Sequence, residues 1–214
     1  MLGAGKRNRL PREYQEVEYL ANFFIDTNAG QYINVGTTTS ANRKVIWDLQ
    51  RYQSSRQLMI QGNGGSTTGV LYSFRADNAL GYFSFVFPNY TVRTSIPIDT
   101  ERHLITIDNT NKTYSIDNEI GSYSLTLSGG TYMERLFAYA QLSSINHNYD
   151  FLGAIYSAKY YDSDVLVRDF VPCYRKIDNK PGMYDLCGSI CPLSNSPFYI
   201  NAGNGEFLVG PDVN

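Results

Sequence analysis

Apolar side chains in this chain recur at every second residue, and almost nowhere at every third or fourth. Val45, Trp47 and Leu49 share one face of Arg43–Arg51, while Lys44, Asp48 and Gln50 share the other with Ile46. In Gly69–Arg75, Val70, Tyr72 and Phe74 alternate with Leu71, Ser73 and Arg75. Phe83, Phe85 and Phe87 oppose Tyr82, Ser84 and Val86, and His103, Ile105 and Ile107 alternate with Leu104, Thr106 and Asp108. Tyr114 and Ile116 continue the pattern after a turn at Asn109–Lys112, and Arg135–Gln141 and Ala154–Tyr161 read the same way. A period of two places alternate residues on opposite faces of a strand, so these are strands with one buried face. Gly/Asn/Asp/Pro/Ser turns separate them at Gly62–Ser66, Asp77–Asn78, Pro88–Asn89, Asp117–Asn118, Ser128–Gly130, Asp178–Gly182 and Ala202–Gly205. Many short strands at this spacing predict an antiparallel two-sheet sandwich or jelly roll. The best helical candidate is Arg12–Ala21, where Tyr14, Val17 and Leu20 stand at helical spacing.

Size and charge narrow the function. With 214 residues the chain suits one large domain, and a domain of that length buries enough surface to need neither metal nor disulfide. Residues 1–9 hold three basic residues and no acid, and read as a flexible arm; residues 10–214 read as the domain. Eighteen basic against twenty acidic residues give a net charge of −2, which argues against nucleic acid as a partner. The first residues carry no signal-peptide apolar run, and no stretch approaches transmembrane length, so neither Sec export nor membrane insertion is expected. Cys173, Cys187 and Cys191 are an odd set, and the last two are four apart, unlike a redox or zinc motif. Reduced, structural thiols are expected, with a Cys187–Cys191 bridge as the alternative.

Three stretches carry more than a pattern. Leu10-Pro11 and Tyr14-Gln-Glu-Val-Glu-Tyr-Leu20 lead to Gly30-Gln-Tyr-Ile-Asn-Val-Gly36. Gly153-Ala-Ile-Tyr-Ser-Ala-Lys-Tyr-Tyr-Asp162 leads to Leu166-Val-Arg-Asp-Phe-Val-Pro-Cys173. Pro181-Gly-Met-Tyr-Asp-Leu186 leads to Phe198-Tyr-Ile-Asn-Ala-Gly-Asn-Gly-Glu-Phe207 and Gly210-Pro211. In order and spacing they resemble a family of concanavalin A-like, LamG-like jelly-roll domains. That family is common in tail, fibre and other virion proteins of phages and prophages of gut bacteria, and in bacterial surface proteins. The resemblance implies a lectin-like domain with binding or structural work, on a virion assembled in the host cytoplasm. Its implied partners are other virion proteins and host-surface glycans in host attachment, with homo-oligomers among the arrangements. The loop Cys187-Gly-Ser-Ile-Cys191 departs from the family, which more often has a valine or aspartate and an open turn there. Within the domain, Gly30 and Gly36 are expected to bracket a strand. Pro172 is expected to stop one, Arg168 and Asp169 to pair, and Gly203–Phe207 to close a hairpin.

Chemistry finds little support, and no catalytic residue is assigned. A glycoside hydrolase needs two carboxylates across a cleft. Glu16 and Glu18 have the spacing but no aromatic cluster beside them, and Asp162/Asp164 and Asp117/Glu119 read as turns. No G-x-S-x-G elbow occurs; His103 reads as a satisfied core or edge histidine, and His147 as a loop residue. Gly62–Gly65 reads as a hairpin loop. Calcium could draw on Asp77-Asn78 or Asp108-Asn-Thr-Asn111, but plain turns are the favoured reading, so no cofactor and no metal site is expected. The surface offers Arg75, Tyr82 and Ser84, facing away from the phenylalanine stripe, as contacts for a sugar or a protein partner. Lys6, Arg7 and Arg9 in the arm are the expected virion-docking residues, and Trp47 is assigned to the core.

Overall fold

The computed structural model describes residues 10–22, 30–38, 40–52, 62–64, 73–77, 81–87, 90–125, 133–137, 139–141 and 151–214. The expectations placed on residues 1–9, 69–72, 88–89 and 128–130, on Asn78 and on His147 lie outside them. Among the described residues the chain forms strands and no helix. In chain order these are β1 (Tyr14–Glu16), β2 (Leu20–Asn22), β3 (Ile33–Thr38), β4 (Arg43–Arg51), β5 (Gly62–Gly64) and β6 (Ser73–Asp77). There follow β7 (Tyr82–Phe87), β8 (Tyr90–Pro97), β9 (Arg102–Asp108), β10 (Thr113–Ile116), β11 (Glu119–Ser122) and β12 (Met133–Leu136). The last are β13 (Tyr139–Gln141), β14 (Gly153–Asp162), β15 (Val165–Arg175), β16 (Lys180–Asp185), β17 (Phe198–Ile200) and β18 (Leu208–Val209).

The main sheet runs β11-β10-β9-β4-β14-β15-β16-β17, with β1 added to β15 and β2 and β18 added beside β14. Three smaller pieces are β3–β12, β5–β13 and β6–β7–β8, and the first and last of them contribute to the same core. All described pairs are antiparallel except β5–β13, which is parallel. The antiparallel sandwich expected from the alternation is therefore the fold. Strand β4 shows the cause: Arg43, Val45, Trp47, Leu49 and Arg51 are buried, and the four residues between them only half so. Trp47 packs in the core with Ile105, Ile107 and Tyr160 from the main sheet and Phe83, Phe85 and Phe87 from β7.

Two arginines tie the layers together. Arg43 Nε donates to Glu134 Oε1 of β12 at 3.0 Å, and its Nη2 donates to the Thr38 carbonyl at 2.6 Å; both side chains are buried. Arg168 of β15 donates to the carbonyls of Val35 at 3.0 Å and Gly36 at 3.2 Å, and to Ser189 Oγ at 2.7 Å. Gly36 sits at φ +74, where a side chain is strained, and a Cβ there would crowd the Tyr199 hydroxyl at 3.3 Å. It lies inside β3 instead of bracketing it. Arg168 faces Asp185, 3.7 Å away, and Asp169 pairs with Lys159 at 3.3 Å, so these neighbours serve different partners and not each other.

Several local expectations are corrected. Residues 12–21 hold no helix: β1 pairs with β15, and Val17 donates to the Pro172 carbonyl at 3.1 Å. Sheet pairing overrides a weak helical pattern only ten residues long. Strand β15 runs through Pro172. In an antiparallel strand a residue's N–H and C=O point to the same neighbour. Pro172 turns them away from β16, toward the residue that follows β1, where Val17 N donates to its carbonyl. The bond that Pro172 cannot return ends the β1–β15 ladder at Glu16 and Cys173. Gly62–Gly64 forms strand β5 and not a hairpin loop. Arg135–Gln141 is two strands, because Phe137 takes φ 69 and turns its ring inward against Phe151 and Phe207. Residues 198–209 make no hairpin: β17 pairs with β16 and β18 with β2, while Asn201 organises the loop between them. The three cysteines are free, so the Cys187–Cys191 bridge is not formed.

The N- and C-terminal stretches also run side by side. Glu18 N donates to the Pro211 carbonyl at 2.8 Å, Gly210 N to Tyr19 at 2.8 Å, and Val213 N to Glu16 at 3.0 Å.

The Arg43–Glu134 pair yields a stability prediction. Removing one buried partner strands the other charge, so Glu134→Ala should cost about 3–5 kcal/mol in denaturant unfolding. Replacing both residues by apolar ones of similar volume should recover most of that loss.

Candidate functional site

On the outer face of the main sheet, at the end where β4 reaches Arg51, three tyrosines and several charged groups come together. They arrive from four separate stretches of chain. Asp48 and Gln50 stand on β4, Arg102 opens β9, Tyr156 lies on β14, and Glu18 and Tyr19 join β1 to β2. Tyr52 follows β4 directly.

Tyr156 reaches that face through an irregularity. The register of β14 on β4 shifts between Ile155 and Ser157. Ile155 and Ala158 are buried, while Tyr156 and Ser157 between them are both half-buried. Such a bulge sets two successive residues against one and re-aims a side chain. Strict alternation would have put Tyr156 inside with Ala158 and Tyr160.

The groups hold one another. The Arg102 guanidinium lies 3.6 Å from the Tyr156 ring centre. It donates to both Asp48 oxygens, at 2.7 and 2.8 Å, and its Nη1 lies 3.8 Å from Glu18. Tyr156 Oη donates to Gln50 Oε1 at 2.8 Å, and Gln50 Nε2 donates to the Thr100 carbonyl at 3.0 Å. Tyr19 meets Tyr156 edge-on at 5.4 Å. The backbone at Gly210 passes so close that a Cβ there would stand 2.8 Å from the Tyr19 ring. Burial, then the Tyr19 and Tyr156 hydroxyls and Glu18, push the Tyr52 phenol up to about 12. Burial also raises Tyr156, against the opposing pull of Arg102. The hydrogen bond to Asp48 is the first cause holding Arg102 above its ordinary value. The site is a cluster of tyrosine rings around a fixed cation, with Asp48 and Glu18 beside it.

This arrangement offers ring faces and edges, a bidentate cation and carboxylate acceptors on a half-exposed surface. Such a set can stack on an apolar ligand face and hydrogen-bond to hydroxyls. It holds no nucleophile paired with a base. Cys187 is exposed, but burial of its sulfur and nearby Asp185 and Asp169 push the thiol up to about 11, so it stays protonated.

The residues expected from sequence fall elsewhere. Tyr82 is 44% exposed at the start of β7. Ser84 lies on the middle strand of its sheet, opposite Arg75 and Arg93. It is 0% exposed, so it is not a surface residue. Arg75 is placed on β6, and its side chain lies outside the described part. Lys6, Arg7 and Arg9 lie outside it as well. Glu16 stands opposite Cys173 in the β1–β15 ladder and Glu18 beside Arg102. Asp108 closes its own turn, accepting from the Asn111 backbone at 3.0 Å and from its side-chain amide at 2.9 Å. Among the described residues no group of three or more His, Cys, Asp or Glu is arranged to hold a metal ion.

The described residues thus define an antiparallel β-sandwich with a polar aromatic platform on its main sheet. No family model and no curated protein matches the chain. Among solved structures it is similar to a native heptameric SAP-like pentraxin from Limulus polyphemus, with a TM-score of 0.50 and 8% identity. The match covers 72% of this chain and 78% of the pentraxin. At that identity the likeness speaks to the fold alone, a concanavalin A-like jelly roll.

Gly210→Ala should displace the Tyr19 ring and cost about 1–3 kcal/mol of stability, as overpacking does. Thermal unfolding and the near-ultraviolet tyrosine spectrum would report it. An unchanged spectrum would show that the C-terminal stretch does not position Tyr19.

Proposed function

We propose that this chain is a non-enzymatic binding module that takes a glycan on the Tyr19–Tyr52–Tyr156 platform. The observation that carries it is the Arg102 stack on Tyr156, clamped by Asp48. Rings pre-fixed by neighbours lose little entropy on binding, and half-exposed Tyr and Arg are the residues that dominate contact energy. Hydroxyl-rich ligands suit the mixture of ring edges, Gln50 and rim carboxylates.

Support for a binding role over a chemical one comes from how the other acids are used. Asp162 accepts from Ser40 Oγ at 2.9 Å, Glu119 accepts from Ser95 Oγ at 2.6 Å, and Asp99 and Asp117 are taken by His103. The hydrolase reading through Glu16 and Glu18 finds the first in a ladder with Cys173 and the second beside Arg102.

The setting we propose is a phage particle, with residues 1–9 docking through Lys6, Arg7 and Arg9 to an acidic virion neighbour. The sequence resemblance supports it. A bacterial surface glycan-binding module is the alternative setting, with the same platform. The particle reading is tested by mass spectrometry of purified virions, where absence of this chain would end it.

The full chain on a bacterial-surface glycan array tests the binding role. At least one glycan should be retained, and Arg102→Ala or Tyr156→Ala should weaken it by roughly tenfold, or about 1.4 kcal/mol. Tyr82→Ala should leave it unchanged. A folded chain that binds no glycan, or equal binding by all variants, would overturn the assignment.

A further inference from the structure

His103 belongs to the inner face of β9, opposite Leu49, and is 7% exposed. Its ring meets Phe83 of β7 edge-on at 5.3 Å. Nδ1 lies 2.7 Å from Asp117 Oδ2 and Nε2 lies 2.8 Å from Asp99 Oδ1. A neutral imidazole has one N–H and can donate to only one of them. The imidazolium donates to both. Because the carboxylates sit on opposite ring edges, they do not converge on a common ion.

Among the described residues, the charged groups facing this ring come from three elements. Asp99 comes from the 98–101 turn between β8 and β9, and Asp117 from the turn between β10 and β11. Arg51, at the end of β4, is 2% exposed, and among the described residues its three guanidinium nitrogens have no hydrogen-bond partner. Burial lowers it to about 10, and the charge of Asp99 opposes that fall. Burial is the largest single influence on His103 and disfavours its charge. The bonds from Asp117 and Asp99, with their charges, outweigh it and raise the ring above 6.5.

The two carboxylates are held unequally. Asp117 is fixed from both sides: its Oδ1 accepts from Leu104 N and its own N donates to the Leu104 carbonyl, each at 2.8 Å. Asp99 has one further bond, accepting from Glu101 N at 2.9 Å. The turn that carries Asp99 also carries Thr100, whose carbonyl receives Gln50, and it ends on Arg102. Gln50 in turn receives the Tyr156 hydroxyl. A continuous series of bonds therefore links His103 to the tyrosine platform.

We propose that His103 is a pH sensor for the platform: protonated, it pins the 98–101 turn through Asp99, and loss of the proton releases that turn together with Gln50 and Tyr156. The inference rests on the platform being the ligand site only for its functional meaning. The sign follows from the raised folded-state value. An unfolded histidine titrates near 6.5, so the stabilisation is complete below that pH and is lost as pH rises through the higher folded value. Binding on the platform weakens in the same direction.

Nuclear magnetic resonance of the full chain with labelled tyrosine and histidine rings tests this without any ligand. Between pH 5.5 and 8.5, roughly one unit or more to either side of a histidine's ordinary range, the Tyr156 resonances should shift with the His103 midpoint, above 6.5. His103→Asn should abolish the shift. Asp99→Asn and Asp117→Asn should each move the midpoint lower, and these serve if His103→Asn does not fold. Gln50→Ala should leave the His103 titration intact and remove the Tyr156 response. Tyr156 resonances that ignore pH, or that move equally in the wild type and His103→Asn, would overturn the proposal. The same glycan array read at both pH limits gives the second arm: wild-type binding should fall at the higher pH and His103→Asn binding should not. If nothing binds at either pH, the ligand reading of the platform fails while the ring titration still decides the sensor.

Discussion

Two arginines that bridge the layers, Arg43 buried and Arg168 partly buried, are the constraint on which the sandwich depends. Apolar burial is non-directional, so stacked sheets could slide against one another at little cost. Arg43 and Arg168 remove that freedom, because each crosses from the main sheet to β3 or β12 and ends on a specific oxygen. A guanidinium in a poorly solvated place is costly unless its donors are met. Only one alignment of the sheets supplies Glu134, Thr38, Val35 and Gly36 together. Trp47 and the phenylalanines fill the space that this alignment leaves.

The alternation in the sequence was enough for the fold class and for the inward rows of β4 and β9. Strand β4 is the plainest case, with its buried row predicted from Val45, Trp47 and Leu49 alone. His103 is likewise a satisfied inner-face histidine, as its row with Ile105 and Ile107 indicates. The failures share a cause: each depends on a neighbour remote in sequence. Pro172 is tolerated in β15 because the pairing with β16 runs across it, and only a return bond to Val17 is lost. Ser84 is buried on the middle strand of its sheet, where alternation alone puts it outside. The stretch around Tyr14 and Val17 is extended because β15 claims it. None of these neighbours can be inferred from local pattern.

The platform was hidden for the same reason. Its members come from β4, β9, β14 and the β1–β2 connection, and only the strand order of the main sheet makes them adjacent. In the sequence Ala154, Tyr156, Ala158 and Tyr160 keep an unbroken period of two, and only the bulge in the pairing of β14 with β4 turns Tyr156 to the outer face.

The hydrogen bonds between residues 16–19 and 210–213 have a mechanical consequence. They couple the two terminal stretches to each other and, through β1 and β15, to the middle of the main sheet. A tug applied along β1 would strain these bonds in parallel and not one after another, which is the stiffer geometry for a short strand. Whatever pulls on the leading stretch is resisted by the trailing one, so an anchor at one terminus would transmit force to the sheet that carries the tyrosines.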